Sequence, residues 1–215
     1  MILEASIFKA SAHLMAKYAF SWISYNKRTL IEGILRTDVR VSALLDVGGS
    51  GYSQYLLRKF PCCNLLVVVN ISREVMRHAK QELTTHVNYV LADAHTLPFR
   101  KSTFSLTFAK DLLHHVKNPL KILKELKEIT KGEVVIVEAN RPNSLMLLWT
   151  KYGNHQHFTL DQVVNLTSNT SMKLRDYKQL HAYPFSLLFW PIKNPLMILW
   201  NFLIPLFKLY YSTVA

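Results

Sequence analysis

The sequence predicts one α/β domain: a doubly wound, mainly parallel sheet, preceded by a helical extension and followed by an apolar, aromatic segment. Three observations predict it. Short β-branched or Leu-rich runs alternate with helical patterns through the middle of the chain. Those runs are continuously apolar, as parallel strands covered on both faces require, rather than alternating in and out. The first of them passes directly into glycines, in "LLDVGGSGYSQYL" from Leu44 to Leu56. The 215 residues suffice for one such domain with a real core and are tight for two. Half are hydrophobic and 19% charged, which excludes a disordered chain.

The extension occupies residues 1–40. Leu3, Ile7, Leu14, Tyr18 and Trp22 recur at mostly three- and four-residue steps, the pattern of one or two amphipathic helices. Tyr18, Trp22 and Tyr25 could roof a ligand, although stripes of this spacing are more often core. Glu4 and Lys9 interrupt what would have to be an apolar signal core, so no secretory signal is expected.

The core, residues 41–180, supplies five strands in order: "SALLDV" (42–47), "LLVVV" (65–69), "VNYVL" (87–91), "SLTFA" (105–109) and "EVVIVE" (133–138). Helices between them announce their own starts. Ser72 can cap the helix carrying Val75, Met76, Ala79 and Leu83. Asn118 before Pro119 gives an N-cap and a favourable first helical position, followed by the stripe Leu120, Leu123, Leu126 and Ile129. "TLDQ" (159–162) is a capping box, and "KLRDYKQL" (173–180) is a candidate sixth strand.

The final segment, residues 181–215, is rich in apolar and aromatic residues, but Pro191, Pro195 and Pro205, with Lys193 and Asn201, interrupt it. A spanning helix needs about 20 predominantly apolar residues, so two readings stand. One is a seventh strand at "FSLLFW" (185–190) plus a helix buried on the sheet. The other is a surface-lying stretch in which Trp190, Trp200, Phe202, Phe207, Tyr210 and Tyr211 sit at a membrane interface while Lys193 and Lys208 meet anionic headgroups.

Charge and cysteines bound the partners. The 26 Lys and Arg against 14 Asp and Glu give a net charge of +12, which favours an anionic partner: nucleic acid, an acidic membrane or a phosphorylated substrate. No basic run interleaved with stacking aromatics stands out, which argues against nucleic acid. Cys62 and Cys63 are adjacent, beside Pro61, and cannot form a disulfide framework, so a reducing, cytoplasmic setting is expected, peripheral to a membrane where the tail engages one.

A strand ending in Asp46 and followed by Gly48, Gly49 and Gly51 has a physical job. Glycines permit the tight turn from strand to helix and let a ligand approach the backbone, while the next helix offers unpaired N–H groups. Taken in order with "NISREVMRHAKQ" (70–81), "NYVLADAHTLPF" (88–99), "STFSLTFAKDLLHHVKNPLKILKELKEI" (102–129) and "GEVVIVEANRPN" (132–143), the stretch resembles the class I S-adenosylmethionine-dependent methyltransferases. The resemblance is to their type 11 group, which includes ubiquinone and menaquinone biosynthesis enzymes, and covers about residues 42 to 180.

The resemblance implies a Rossmann-like fold, S-adenosylmethionine as cofactor and a set of binding residues. Asp46, Gly48, Gly49 and Gly51 match the cofactor loop. Asn70, with Ile71 beside it, stands where the family has an acidic ribose ligand. Asp93 and Ala94 match the adenine contact, and Lys110 lies where the methionine end passes. The family loop reads Asp-x-Gly-x-Gly-x-Gly, whereas this one is a residue shorter; Asn70 replaces the acid; and Thr103-Phe104-Ser105 replaces Ser-Phe-Asp.

Methyl transfer needs alignment and dryness more than a catalytic triad, and a base only where the acceptor is protonated. His114 or His115 is the candidate base, against the alternative that one packs and the other caps or faces solvent. Asp111 could take a substrate proton or cap the helix after it. His155 and His157 of "HQH" lack a third ligand at zinc-like spacing and suit an acceptor loop, so no metal is expected. The expected function is methyl transfer to a small, hydrophobic, lipid- or quinone-like acceptor. The alternatives are a degenerate methyltransferase-like assembly protein and, with less weight, an RNA or DNA methyltransferase.

Overall fold

All five apolar runs of the core are strands: β1 (Ala43–Val47), β2 (Leu65–Asn70), β3 (Val87–Leu91), β4 (Phe104–Lys110) and β5 (Thr130–Ala139). The computed structural model describes residue 35 and residues 40–49, 53–82, 87–139, 158–181 and 208–214. The described helices are α1 (Ser53–Lys59), α2 (Arg73–Glu82), α3 (Pro119–Ile129) and α4 (Leu160–Ser168), with a 3-10 turn at Leu113–His115. Two more strands, β6 (Asp176–His181) and β7 (Lys208–Val214), complete a seven-stranded sheet of order β3-β2-β1-β4-β5-β7-β6. Strands β1 to β5 are parallel; β7 runs antiparallel to both β5 and β6. This is the doubly wound, Rossmann-like sheet the sequence predicts.

Successive side chains of a strand leave opposite faces, and here both faces are covered. Leu45, Val47, Val67, Val69, Val134 and Ile136 join one core with Ile122, Leu123, Leu126 and Ile129 of α3 and Val163 of α4. Leu44, Leu66, Val68, Phe108, Val135 and Val137 join the other with Tyr55 and Leu56 of α1 and Met76 of α2. Strand β3 is the exception. At the edge of the described sheet it leaves Asn88 and Leu91 exposed, with no described strand paired beyond it.

The caps fall where the sequence puts them. Ser72 Oγ accepts from Val75 N at 3.3 Å, Asn118 Oδ1 from Lys121 N at 3.1 Å, and Thr159 and Gln162 form a reciprocal capping box. Strand β5 starts three residues earlier than "EVVIVE" suggests. Its pairing with β4 shifts register between Phe104 and Leu106, and a Cβ on Gly132 would lie 2.0 Å from Ser105 O. Lys131 and Gly132 form a bulge inside the strand.

The seventh strand is also elsewhere. Lys208, Tyr210 and Tyr211 belong to β7, with Tyr210 opposite Ala139 and Leu180. The backbone of Tyr210 and Tyr211 is paired on both sides and that of Lys208 with His181 of β6, which corrects the reading of these three as part of a surface-lying membrane stretch. The other strand candidate, 185–190, lies outside the described residues, as do Trp190, Lys193, Trp200, Phe202 and Phe207, the helices of the extension with Tyr18, Trp22 and Tyr25, Gly51, and the "HQH" pair. No described helix is long and apolar enough to cross a membrane.

Leu123 is wholly buried between α3 and the sheet, whereas Lys124 beside it is exposed. Leu123→Ala is expected to lower unfolding free energy by about 2–5 kcal/mol, and Lys124→Ala by no more than about 0.5 kcal/mol, measured by urea denaturation.

Candidate functional site

Strand order reverses between β1 and β4, whose following connections leave toward opposite faces, so a crevice opens at their carboxyl ends. Both strands end in a left-handed residue: Gly48 at φ 77° and Asp111 at φ 50°. Asp adopts this conformation at modest strain, of the kind concentrated at functional sites. The crevice is a cleft of about 680 Å³ that Asp46, Gly48, Gly49, Asn70, Asp93 and Lys110 help to line.

The glycine turn is pressed onto β2. Gly48 N donates to Val69 O at 2.8 Å. A Cβ at Gly49 would lie 2.5 Å from Val68 Cγ1 and 2.8 Å from Asp46 Oδ2, so only glycine lets the turn sit this low. Asn70 Nδ2 donates to Gly49 O at 3.2 Å, and Asn70 Oδ1 accepts from Ser72 N at 2.9 Å. Asp46, 2% exposed, accepts from Ser53 Oγ of α1 at 2.7 Å. Burial raises its pKa to about 6, against the lowering pull of that hydrogen bond and of the Lys110 charge.

On the β3 side, Ile71 is 71% exposed at the cleft margin, an apolar surface beside Val75 and Ala94. Asp93, half exposed, accepts from His95 N at 2.9 Å and holds His95 Nδ1 at 2.7 Å. The His95 backbone hydrogen bond first, then its ring, holds the Asp93 carboxyl below its ordinary range.

On the β4 side, Lys110 pairs with Asp111. The sequence offers Asp111 as a cap for the turn after it, but the cap is Glu138 at the end of β5. Its Oε1 accepts from Leu112 N at 2.9 Å and Leu113 N at 2.6 Å. Its Oε2 holds His114 Nδ1 at 2.6 Å. Asp111, in the left-handed region, turns its carboxylate to Lys110 instead. The two histidines separate: His114, its side chain 7% exposed, is held below, while exposed His115 lines the cleft. Their rings stack at 4.0 Å between centroids, tilted by 43°.

The structure thus brings Asp46, Gly48, Gly49, Asn70, Ile71, Asp93, Ala94, Lys110 and His115 to one cleft, and leaves His114 behind its wall. Sequence reasoning missed Glu138, only 1% exposed. Its signal was a carboxylate closing the apolar, buried run Val134–Val137, since a buried charge requires partners. Asp111, His114 and Glu138 are also the described cluster whose ligand atoms approach closely enough for a metal ion. Each carboxylate there already meets a hydrogen-bond donor, Lys110 for Asp111 and three for Glu138. Ser105, the third departure from the family pattern, has a job of its own: its Oγ accepts from Ser42 N and Ala43 N, both at 3.0 Å, and donates to Ala43 O at 2.8 Å.

Residues 45–137 match the family model described as a methyltransferase domain, of type 11. No curated protein sequence matches the chain significantly. Solved structures share its fold. A chain of the complex between the Haloferax volcanii Trm112 methyltransferase activator and a methyltransferase superposes with TM-score 0.73 at 15% identity, over 93% of this chain and 95% of that one. Geranyl diphosphate C-methyltransferase from Streptomyces coelicolor, solved with Mg²⁺, geranyl diphosphate and S-adenosyl-L-homocysteine, gives 0.65 at 12%, over 89% and 78%. The N-methyltransferase NodS of Bradyrhizobium japonicum, solved with S-adenosyl-L-homocysteine, gives 0.64 at 12%, over 88% and 85%.

Because the Asp46 pKa is raised on folding, the folded chain holds a proton that the unfolded chain releases between about pH 4 and 6. Stability is therefore expected to fall as pH rises through that window, by up to about 3 kcal/mol. Asp46→Asn should flatten this dependence in urea denaturation at pH 4.5 and 7, gaining stability over the parent at pH 7 only.

Proposed function

We propose that this chain is a class I methyltransferase whose methyl donor is S-adenosylmethionine, and that it methylates a small hydrophobic acceptor, lipid- or quinone-like, that carries an ionisable hydroxyl. The observation that carries this reading is the cleft wall beyond β4, where exposed His115 stands with half-buried Leu112 and Val116 and rests on His114. A proton acceptor with apolar Leu112 and Val116 beside it, and with Lys110, Asp111 and Lys117 on the same wall, suits a hydrocarbon molecule that gives up one proton. The geranyl diphosphate bound to the Streptomyces enzyme supports the hydrocarbon part of such an acceptor.

The rest of the cleft fits the donor. Gly48 and Gly49 present bare backbone at the floor, Asp46 supplies a carboxylate toward a cationic ligand, and Asp93 at the rim suits the amine of a base. Asn70 and Ile71 would meet the ribose and the face of the base, Ala94 its edge, and Lys110 the amino-acid carboxylate. When bound, the donor supplies an electrophilic methyl group on a sulfonium, displaced in line.

The chain's own residues do the rest. Ionised Asp46 favours a positively charged ligand over its neutral product. His115 receives the proton of the acceptor hydroxyl. Glu138 fixes the His114 ring, and that ring supports His115 from behind, so the base holds one orientation. Leu112 and Val116 keep water from the reacting groups. The net charge of +12 and the aromatic sequence of residues 187–207 support collection of the acceptor at an anionic membrane surface.

His115→Ala is expected to lower kcat toward a quinol acceptor by about 10²-fold while leaving S-adenosylhomocysteine affinity, measured by calorimetry, within about twofold. An unchanged kcat removes the base. In flotation, the full chain should rise with vesicles containing phosphatidylglycerol and stay down with pure phosphatidylcholine. Equal behaviour with both removes the membrane.

A further inference from the structure

Asn70 departs from the family's acidic residue at the same cleft whose glycine turn is one residue short. The two departures touch. The Asn70 carboxamide reaches across from the end of β2 to the turn, donating through Nδ2 to Gly49 O at 3.2 Å and accepting through Oδ1 from Ser72 N at 2.9 Å. Its orientation is forced, because a backbone N–H can only donate and a carbonyl can only accept. Together with the Gly48 N to Val69 O bond and the close approach of Gly49 to Val68, this side chain fixes the turn against β2.

We infer that Asn70 is a strap that compensates for the missing loop residue, and that S-adenosylmethionine binding depends on its N–H donor rather than on a ribose-binding acceptor. The inference rests on the methyltransferase reading for its ligand but not for its hydrogen bonds. An aspartate at this position could still accept from Ser72 N, yet it would set a second acceptor against Gly49 O and push the turn away. The carboxamide keeps one further N–H and one further lone pair, so it meets ribose hydroxyls as a neutral donor and acceptor. Asn70 is therefore a positioning residue for the cofactor loop.

The strap and the family pattern predict opposite signs for one substitution. If position 70 serves only as the ribose ligand, Asn70→Asp restores the usual acid and tightens binding. If Asn70 is the strap, Asn70→Asp weakens S-adenosylhomocysteine binding about tenfold by calorimetry. Inserting one glycine between Gly48 and Gly49 in the Asn70→Asp background, which restores the family's loop length, should then recover most of that loss. Amide exchange of the ligand-free protein gives a second readout: the Asn70→Asp substitution should speed exchange at Gly48 while leaving Ser72 protected.

Equal or tighter binding by Asn70→Asp overturns the strap, as does unchanged exchange at Gly48. Failure of the parent protein to bind S-adenosylhomocysteine overturns the cofactor reading instead, and the exchange measurement then still decides on the strap.

Discussion

Pairing of β1 with β4 is the constraint on which the site depends. These two buried parallel strands are neighbours in the sheet but not in the sequence, and the chain leaves them toward opposite faces. Between them no helix can close the carboxyl edge. Each strand must then turn at once, and each does so through a left-handed residue, Gly48 in one case and Asp111 in the other. The turns also touch, since a Cβ on Gly48 would meet Leu112 Cδ1 at 3.5 Å. The glycine turn and the wall beyond β4 are two halves of one piece of backbone geometry.

The cleft concentrates negative groups in a positive protein. Asp46, Asp93 and Asp111 line it and Glu138 lies behind its wall, four of only 14 acids in the sequence, and all four are engaged by neighbours. Their environments differ by what surrounds them. Asp46 is surrounded by apolar strands and its ionised form is disfavoured, whereas Asp93 meets a backbone N–H and water. The same residue type thus supplies a buried carboxyl whose charge is disfavoured on one side of the cleft and an exposed one whose charge is favoured on the other.

Much of this was legible in the sequence, for identifiable reasons. Strands covered on both faces leave uninterrupted apolar runs, and Ser72, Asn118 and Thr159 mark helix starts because their side chains satisfy specific N–H groups. The glycine turn and the residues around Asp46 and Asp93 were visible because they are local. What escaped was long-range. Nothing near Leu112 says that its cap comes from Glu138, and the extension of β5 back to Thr130 shows only once β4 is known to lie beside it. Strand β7 was hidden because its pairing partners, not its own sequence, make it a strand.

That last strand has a consequence for how the chain is made. Strand β7 is last in sequence order but lies inside the sheet, between β5 and β6. While a ribosome is still producing it, the outer edge of β5 has no neighbour and β6 has nowhere to dock. Both edges remain open to other chains until synthesis has passed residue 214. The cofactor side of the sheet, β1 to β4, needs none of this and can assemble first. The nascent protein would thus be able to complete β1 to β4 while the two edges that receive β7 still stand open.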